Sequence, residues 1–177
     1  MRKIIKRNFH FSACKRYRWS LDLVVSEKKK DLIFIGLNPS LSDYDFLDNT
    51  TKKIIRISEK YNYGKIKLIN LFGLISRSPE LLLKHNDPIG KLNNYIIDLS
   101  LKYWSKSIYC DLWVGWGNKG SLFKRDQEIK NVLKKYTLIK KKNFNKPVYP
   151  LSIKRTKSNH PVHPLYCLDN SELKKFN

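Results

Sequence analysis

The stretch that decides the fold is LIFIGL (residues 32–37), which is followed at once by Asn38-Pro39-Ser40. The run is short, apolar and rich in isoleucine, and a proline ends it. Such a run is typical of a strand that is buried on both faces of a parallel sheet. Two further apolar runs, KIKLINL (65–71) and IYCDLWV (108–114), predict neighbouring core strands.

Segments with helical periodicity separate these strands. The pattern predicts helices at 49–61, 92–104 and 121–136, a half-buried strand at 19–25, a short strand at 137–139 and a basic loop at 140–150. We expect Asp48 to cap the first helix and Gly64 to end that segment. Strands that alternate with helices predict one α/β domain over residues 1–177, a three-layer α/β/α fold with a central, mostly parallel sheet.

Composition excludes several classes of protein. The chain has 177 residues, of which 41% are hydrophobic, which is enough for one packed core. No apolar run approaches the ~20 residues of a membrane span, and we expect no membrane association through a span. Three scattered cysteines predict a reducing, cytoplasmic setting and no disulfide framework.

The formal net charge of +21 is concentrated in two segments. Residues 1–18 hold seven Lys or Arg and no acid, and residues 124–157 hold twelve Lys or Arg and two acids. Clustered cations favour nucleic acid as the partner, because phosphate contacts release counterions. A solvated basic face, or docking on an acidic protein or a membrane surface, remains the alternative. Nothing in the sequence indicates an obligate protein partner.

Polar residues follow the predicted core strands, at the edge where α/β sheets bind ligands. Gly36 permits close backbone approach, and Pro39 restricts Asn38 to an extended backbone, so that its amide could hold a water molecule. Asn70 offers a donor and an acceptor that suit the edge of a nucleobase, and Phe72 offers a ring for stacking. The simpler alternatives are a plain Asn-Pro turn, a turn-capping Asn70 and a core Phe72.

The stretch NHPVHPLY (159–166) predicts a stiff, extended loop, because prolines follow both His160 and His163. An imidazole can stabilise negative charge on a leaving group. Leu165 and Tyr166 are apolar residues on a surface loop, which suits insertion into a base stack. The alternative is a proline-stiffened connection without chemistry.

Other candidates have weaker support. Asp43 or Asp48 could act as a general base, Arg77 could meet a phosphate, and Trp116 is more often core or a pocket wall than a catalytic group. The residues His160, His163 and Cys167, together with Cys110, have the chemistry of a zinc site but not its spacing, so we predict no metal and no cofactor. A hydrolase that uses Asp48 with the histidine pair is a third possibility.

Taken in order, the motifs resemble a bacterial and viral family known only as domain of unknown function 1643. They are CKRYRW (14–19), GLNPS (36–40) with Asp48 and Thr50 downstream, NLF (70–72), Arg77 with Pro79, DPIG (87–90), WG (116–117) and HPLY (163–166). The resemblance covers nearly the whole chain and implies a fold but almost no function.

The same series is similar, more distantly, to the uracil-DNA glycosylase superfamily, in particular its mismatch-specific branch with an Asn-Pro motif. This resemblance implies that Asn38 positions the water, Asn70 reads a flipped base, His163 or His160 stabilises the leaving base, and Leu165 wedges into the duplex. Tyr44, Phe46 and Phe72 compete as the ring that stacks on the base. The implied activity is that of a monofunctional DNA glycosylase acting on a modified or mismatched base. The competing hypothesis is a non-catalytic module of the same fold that binds nucleic acid or a nucleotide.

Overall fold

The computed structural model describes residues 4–41 and 46–176. Its elements, in chain order, are β1 Lys6–Phe11, β2 Arg18–Val24, β3 Lys30–Gly36, α1 Asn49–Ser58, β4 Tyr63–Asn70, α2 Glu80–Leu83, α3 Asn93–Lys106, β5 Cys110–Val114, α4 Arg125–Phe144, β6 Leu151–Ser152 and β7 Lys174–Lys175. The predicted α/β class and the three predicted core strands are confirmed.

The strands form one seven-stranded mixed sheet in the order β1-β2-β4-β3-β5-β6-β7. Strand β3 pairs in parallel with β4 and β5, and β5 pairs in parallel with β6. The β1–β2, β2–β4 and β6–β7 pairs are antiparallel. The expectation of a mostly parallel sheet is therefore wrong outside the centre. The β1–β2 hairpin was not predicted from the sequence. The connection from Phe11 to Arg18 is too short for the crossover that parallel strands need, so the two strands are antiparallel.

Strand β3 supplies apolar side chains to both faces of the sheet, as its sequence predicts. Leu32 and Phe34 belong to a core cluster that includes Ile54 of α1. The alternate residues Ile33 and Ile35 belong to a second cluster that includes side chains of α3 and α4. Because side chains alternate along a strand, α1 covers one face of the sheet and α3 and α4 cover the other.

Helix α1 begins where the sequence predicts. Asp48 has an extended backbone, and its Oδ1 accepts a hydrogen bond from the Thr51 amide at 2.6 Å. The predicted end is wrong, because the left-handed residue is Asn62, with φ of 57°, and Gly64 lies inside β4. Gly64 is needed there for a different reason: a Cβ at this position would stand 1.7 Å from the carbonyl oxygen of Lys28.

Helix α4 extends eight residues beyond its predicted end at residue 136. The predicted strand at 137–139 and the start of the predicted loop at 140–150 are both wrong. The buried side of the helix continues through Leu133 and Tyr136 to Lys140, whose side chain is buried despite its charge. A lysine at a core position hides the helical period, since pattern analysis reads it as solvent-exposed.

The described residues contain no helix that is both long enough and apolar enough to cross a membrane. The three cysteines carry free thiols, with Cys14 exposed and Cys110 and Cys167 buried.

Candidate functional site

Three parallel strands end side by side at one edge of the sheet. Gly36 at the end of β3 pairs with Asn70 at the end of β4, and Ile35 pairs with Val114 at the end of β5. The ladder continues one step further, because the amide of Gly115 donates to the Ile35 carbonyl at 2.9 Å. The loops that carry the predicted site residues therefore leave the sheet from neighbouring points.

The alternation of side chains assigns the residues at these ends to faces. Leu68 of β4, Phe34 of β3 and Trp113 of β5 all belong to the core on the α1 face. The residues two positions further along each strand, Asn70, Gly36 and Gly115, therefore face the same way. We call the region formed by Gly36, Asn38, Asn70, Gly117 and His163 the strand-end site.

Asn70 is buried, with 8% of the residue exposed. Its carbonyl oxygen accepts a hydrogen bond from the Asn93 side chain at 3.1 Å. Its own carboxamide makes no hydrogen bond with any residue in the described part of the chain. Glycine at position 36 leaves room for this carboxamide where it stands, since a Cβ there would be 2.7 Å from Asn70 Oδ1 and would force it to shift. The two polar atoms of the carboxamide are not fully buried, so the amide reaches solvent and can pair with a ligand.

Two aromatic rings lie beside the strand-end site: Phe34, which was not predicted from the sequence, and Tyr166, whose ring centre is 6.1 Å from that of His163. A Cβ on Gly36 or on Gly115 would stand 2.9 Å from the edge of the Phe34 ring. Of the three predicted stacking rings, Phe72 lies in the core on the opposite face and is fully buried. Phe46 is 55% exposed, with the Lys52 Nζ 4.5 Å from its ring centre. Tyr44 lies outside the described residues.

His163 is held at the end of β5 by the loop that follows it. Gly117 donates its amide to the Pro161 carbonyl at 2.8 Å, and a Cβ on Gly117 would stand 3.3 Å from His163 Cβ. Gly117 has φ of 71° and ψ of −172°, a conformation that is essentially restricted to glycine. The next residue after His163, Pro164, approaches Gly115 and starts a short 3₁₀ turn.

The imidazole of His163 is neutral at pH 7. Burial lowers its pKa, and the Asp48 carboxylate acts weakly in the opposite direction. Nδ1 accepts a long hydrogen bond of 3.4 Å from the Leu165 amide, which assigns the proton to Nε2. Nε2 has no partner among the described residues, so this N–H can donate to a ligand.

The structure separates the two histidines of the loop. His160 lies beside the first turn of α4, where its Nδ1 is 3.6 Å from the buried carboxylate of Asp126. His163 lies beside Gly117 on the α1 face. Of the two alternatives that the sequence left open, the strand-end site includes His163.

Asn38 is fixed in the turn after β3. Its Nδ2 donates to the carbonyl oxygens of Pro39 at 3.1 Å and Ser76 at 2.9 Å. Pro39 is buried, and its carbonyl also accepts the Ser76 amide at 3.0 Å. With Nδ2 occupied, Oδ1 has no partner in the described part of the chain and can accept a hydrogen bond from a water molecule.

Asp48 caps α1, and its negative charge also acts on the buried guanidinium of Arg18. Its Oδ2 accepts a short hydrogen bond from the Ser40 hydroxyl. Burial lowers the pKa of the Arg18 guanidinium to about 10, and the negative charge of Asp48 acts in the opposite direction. Arg18 is 3% exposed, its Nη1 is 3.5 Å from the Ser40 carbonyl, and its Nε has no hydrogen-bond partner in the described residues. Arg18 was not predicted as a site residue from the sequence, where its one signal is its place in the CKRYRW motif.

The remaining predicted residues are spread around this region. Trp116 is 1% exposed and belongs to the core on the α3 and α4 face. Leu165 is 46% exposed and Tyr166 78% exposed, on the turn that packs against α1. Arg77 is exposed, and Asp43 lies outside the described residues.

The four residues considered as zinc ligands from the sequence do not lie together in the structure. Cys110 lies in the core on the α3 and α4 face, and Cys167 lies in the core on the α1 face. Across residues 4–41 and 46–176 no group of three or more His, Cys, Asp or Glu side chains could hold a metal ion.

Substituting Gly117 by alanine is expected to lower the free energy of unfolding by about 1–3 kcal/mol, because the backbone there is strained for any other residue. The added Cβ would also press on His163. Urea unfolding of G117A checks this, with S121A on the neighbouring exposed turn as the control. Equal stability of the two variants would show that the turn at Gly117 relaxes freely.

The chain has an α/β fold with polar groups at the ends of its parallel strands, the edge at which open α/β sheets generally bind ligands. The chain belongs to the family described as protein of unknown function (DUF1643), whose model matches residues 18–165. Comparisons with the curated proteins and with the solved structures found no match.

Proposed function

We propose that this protein is a DNA glycosylase-like enzyme that hydrolyses the N-glycosidic bond of a flipped base, either modified or mismatched. The observation that carries the proposal is the carboxamide of Asn70, which has no internal partner in the described residues and still reaches solvent from a largely buried residue. A planar group with one acceptor and two donors can pair with the edge of a nucleobase. A base can reach this carboxamide only after it leaves the duplex, which costs a few kcal/mol and selects weakly paired bases.

His163 supports the proposal through its protonation state. The bond between C1′ and the base nitrogen breaks with both electrons on the base, which leaves as an anion. A neutral imidazole that donates through Nε2 can stabilise this anion without the cost of a buried cation. The sugar cation then takes the oxygen of a water molecule at C1′, and the water releases its proton to solvent.

Asn38 and Leu165 have supporting roles in this mechanism. Asn38 Oδ1 would hold the attacking water, since its Nδ2 is already fixed by two backbone carbonyls. Leu165, half exposed on the turn after His163, would fill the gap that the flipped base leaves in the stack. The positions of α1 on one face and α3 and α4 on the other support the three-layer glycosylase-like arrangement.

The test is a panel of DNA duplexes that carry uracil, mismatched thymine or hypermodified pyrimidines. We expect at least one duplex to gain abasic sites, detected as strand breaks after alkaline treatment. The test variant is N70A, and its matched control is N86A, which changes an exposed asparagine. N70A should lose the activity and N86A should keep it. Binding to every duplex without abasic sites in any of them would contradict the enzymatic proposal.

A binding module is the second candidate, and one observation favours it. Both carboxylate oxygens of Asp48, the acid beside His163, already accept hydrogen bonds within the protein. Because these hydrogen bonds tie the Asp48 carboxylate to the start of α1 and to Ser40, we take a structural role for Asp48 as support for a site that reads a base without cleaving it. Unchanged affinity and no turnover in N38A and H163A, alongside an inactive wild type, would support the module.

A further inference from the structure

A cavity that is remote from the α1 face lies along the outer side of α4. It has a volume of about 820 Å³, which is within the range of ligand pockets. One wall is α4, and the other is formed by the segment after it together with Phe176 near the end of the chain. None of the residues of the strand-end site lines it. We call it the α4 cavity.

The lining of the α4 cavity is basic. It contains Lys130, Lys134 and Arg155, and no Asp or Glu side chain. Lys130 pairs with the buried Asp126 at 2.8 Å, which offsets part of this charge. Lys134 has no ion pair with any described residue. The cavity is therefore complementary to an anion.

Two aromatic rings line the same cavity. Tyr149 is 37% exposed, with the Lys175 Nζ 5.0 Å from its ring centre. Phe176 carries the Arg155 guanidinium over its ring at 4.6 Å. Rings beside cations form the combination that binds a base by stacking and its phosphate by charge. The side-chain amides of Gln127 and Asn131 add hydrogen-bonding groups for a base edge, whereas Asn159 Oδ1 already accepts a hydrogen bond from Arg155 Nη1.

One loop connects the α4 cavity to the strand-end site. Arg155 and Asn159 line the cavity, and Arg155 forms a backbone bridge with Pro161. His163 follows two residues later. Four residues of chain, from Asn159 to His163, span at most about 14 Å. A nucleic-acid strand at the strand-end site can therefore reach the cavity within a few nucleotides.

We propose that the α4 cavity binds a nucleoside phosphate, as an unpaired nucleotide of the same DNA strand that enters the strand-end site. The phosphate lies between Lys134 and Arg155, and the base stacks on Tyr149. This inference rests on the proposed function for the identity of the strand. A nucleotide-binding role would account for the position of the lysines and arginines after residue 124 beside aromatic rings.

The experiment measures fluorescence polarisation of a labelled 12-nucleotide single strand, with a fluorescent adenosine monophosphate as a second probe. Y149A is expected to weaken strand binding about 5- to 100-fold, because base–aromatic stacking is lost. Y149F should bind like the wild type. K134Q should reduce the slope of binding against salt by about one unit. The matched control K141Q changes an exposed lysine of α4 outside the cavity and should reduce the slope less.

The outcomes distinguish a free nucleotide from a DNA strand as the ligand. They also distinguish failure of the cavity proposal from failure of the glycosylase proposal. Loss of both probes in Y149A supports a site for any nucleoside phosphate, and loss of the strand alone supports a strand-specific site. Equal affinities of Y149A and Y149F, with K134Q equal to K141Q, would overturn the inference even if N70A still abolished base release. If no duplex is cleaved but Y149A still loses the strand, the cavity proposal stands and the glycosylase proposal fails.

Discussion

Replacing His163 by alanine is expected to slow base release about 10²- to 10³-fold, the range for loss of one hydrogen-bond donor to a developing anion. The dissociation constant for DNA should stay unchanged, because the imidazole acts on the charge that develops as the bond breaks. The reason lies in its geometry: burial keeps the ring neutral, and Nδ1 accepts from the Leu165 amide, so Nε2 carries the donor proton. Single-turnover kinetics on the cleaved duplex measures the effect.

Two other histidines supply controls for this prediction. His85 accepts the Asp87 amide at Nδ1, the same local contact that His163 makes with Leu165, so H85A removes an equivalent hydrogen bond elsewhere. H160A tests the other histidine of the loop, which lies beside Asp126. Both controls should cleave at rates close to the wild type. A loss in H160A that matched the loss in H163A would contradict the assignment of the two histidines.

The pH profile gives an independent check on the protonation state of His163. Its pKa lies below the ordinary value, since burial disfavours the charged ring. Activity that needs the neutral ring should therefore persist as the pH falls through about 6.5, the usual histidine pKa. It should decline only when the pH passes the lower pKa of His163. An acid limb at or above pH 6.5 would show that this histidine acts in another form.

Replacing Lys140 by methionine is expected to lower the free energy of unfolding by about 1–3 kcal/mol, since the carbonyls of Trp104, Ser107 and Cys110 each lose a donor. The Nζ of this buried lysine donates to the carbonyl oxygens of Trp104, Ser107 and Cys110 at 2.7–2.8 Å. These contacts tie α4 to the end of α3 and the start of β5. Methionine keeps the length of the side chain but cannot donate.

The matched control for Lys140 is the next residue. Lys141 is exposed on the same helix, and K141M makes the same chemical change without removing a buried donor. Urea unfolding of the two variants isolates the three hydrogen bonds. Stabilities of K140M and K141M within about 0.5 kcal/mol of each other, the usual range for surface substitutions, would contradict the account.

The centre of the fold was predictable because local pattern and tertiary burial agree there. Strand β3 is apolar at every position from Leu32 to Ile35, and both faces of the sheet are indeed covered. Asp48 caps α1 as its residue type suggests. The length of α4 was not predictable, because Lys140 occupies a core position through contacts with carbonyls that are distant in the chain.

The candidate site was predictable only in part. The rule that ligands bind beyond the strand ends selects Asn38 and Asn70. In the structure Asn70 ends β4, and Asn38 follows the end of the neighbouring strand β3. The sequence could not separate His160 from His163, since their different neighbours, Asp126 and Gly117, are fixed by tertiary packing. The buried state of Arg18 was equally hidden, because it depends on the turns that carry Ser40 and Asp48.

The most direct measurement follows the side-chain NMR signals of Asn70 and His163 during titration with the duplex panel. The target nucleotides carry a 2′-fluorine, which slows hydrolysis and leaves the base to be bound intact. For at least one duplex, the account predicts that the Asn70 carboxamide and the His163 Nε2 signals shift together and saturate at one concentration. If for every duplex only one of these signals moved, or neither did, the two side chains would not share a base-binding site.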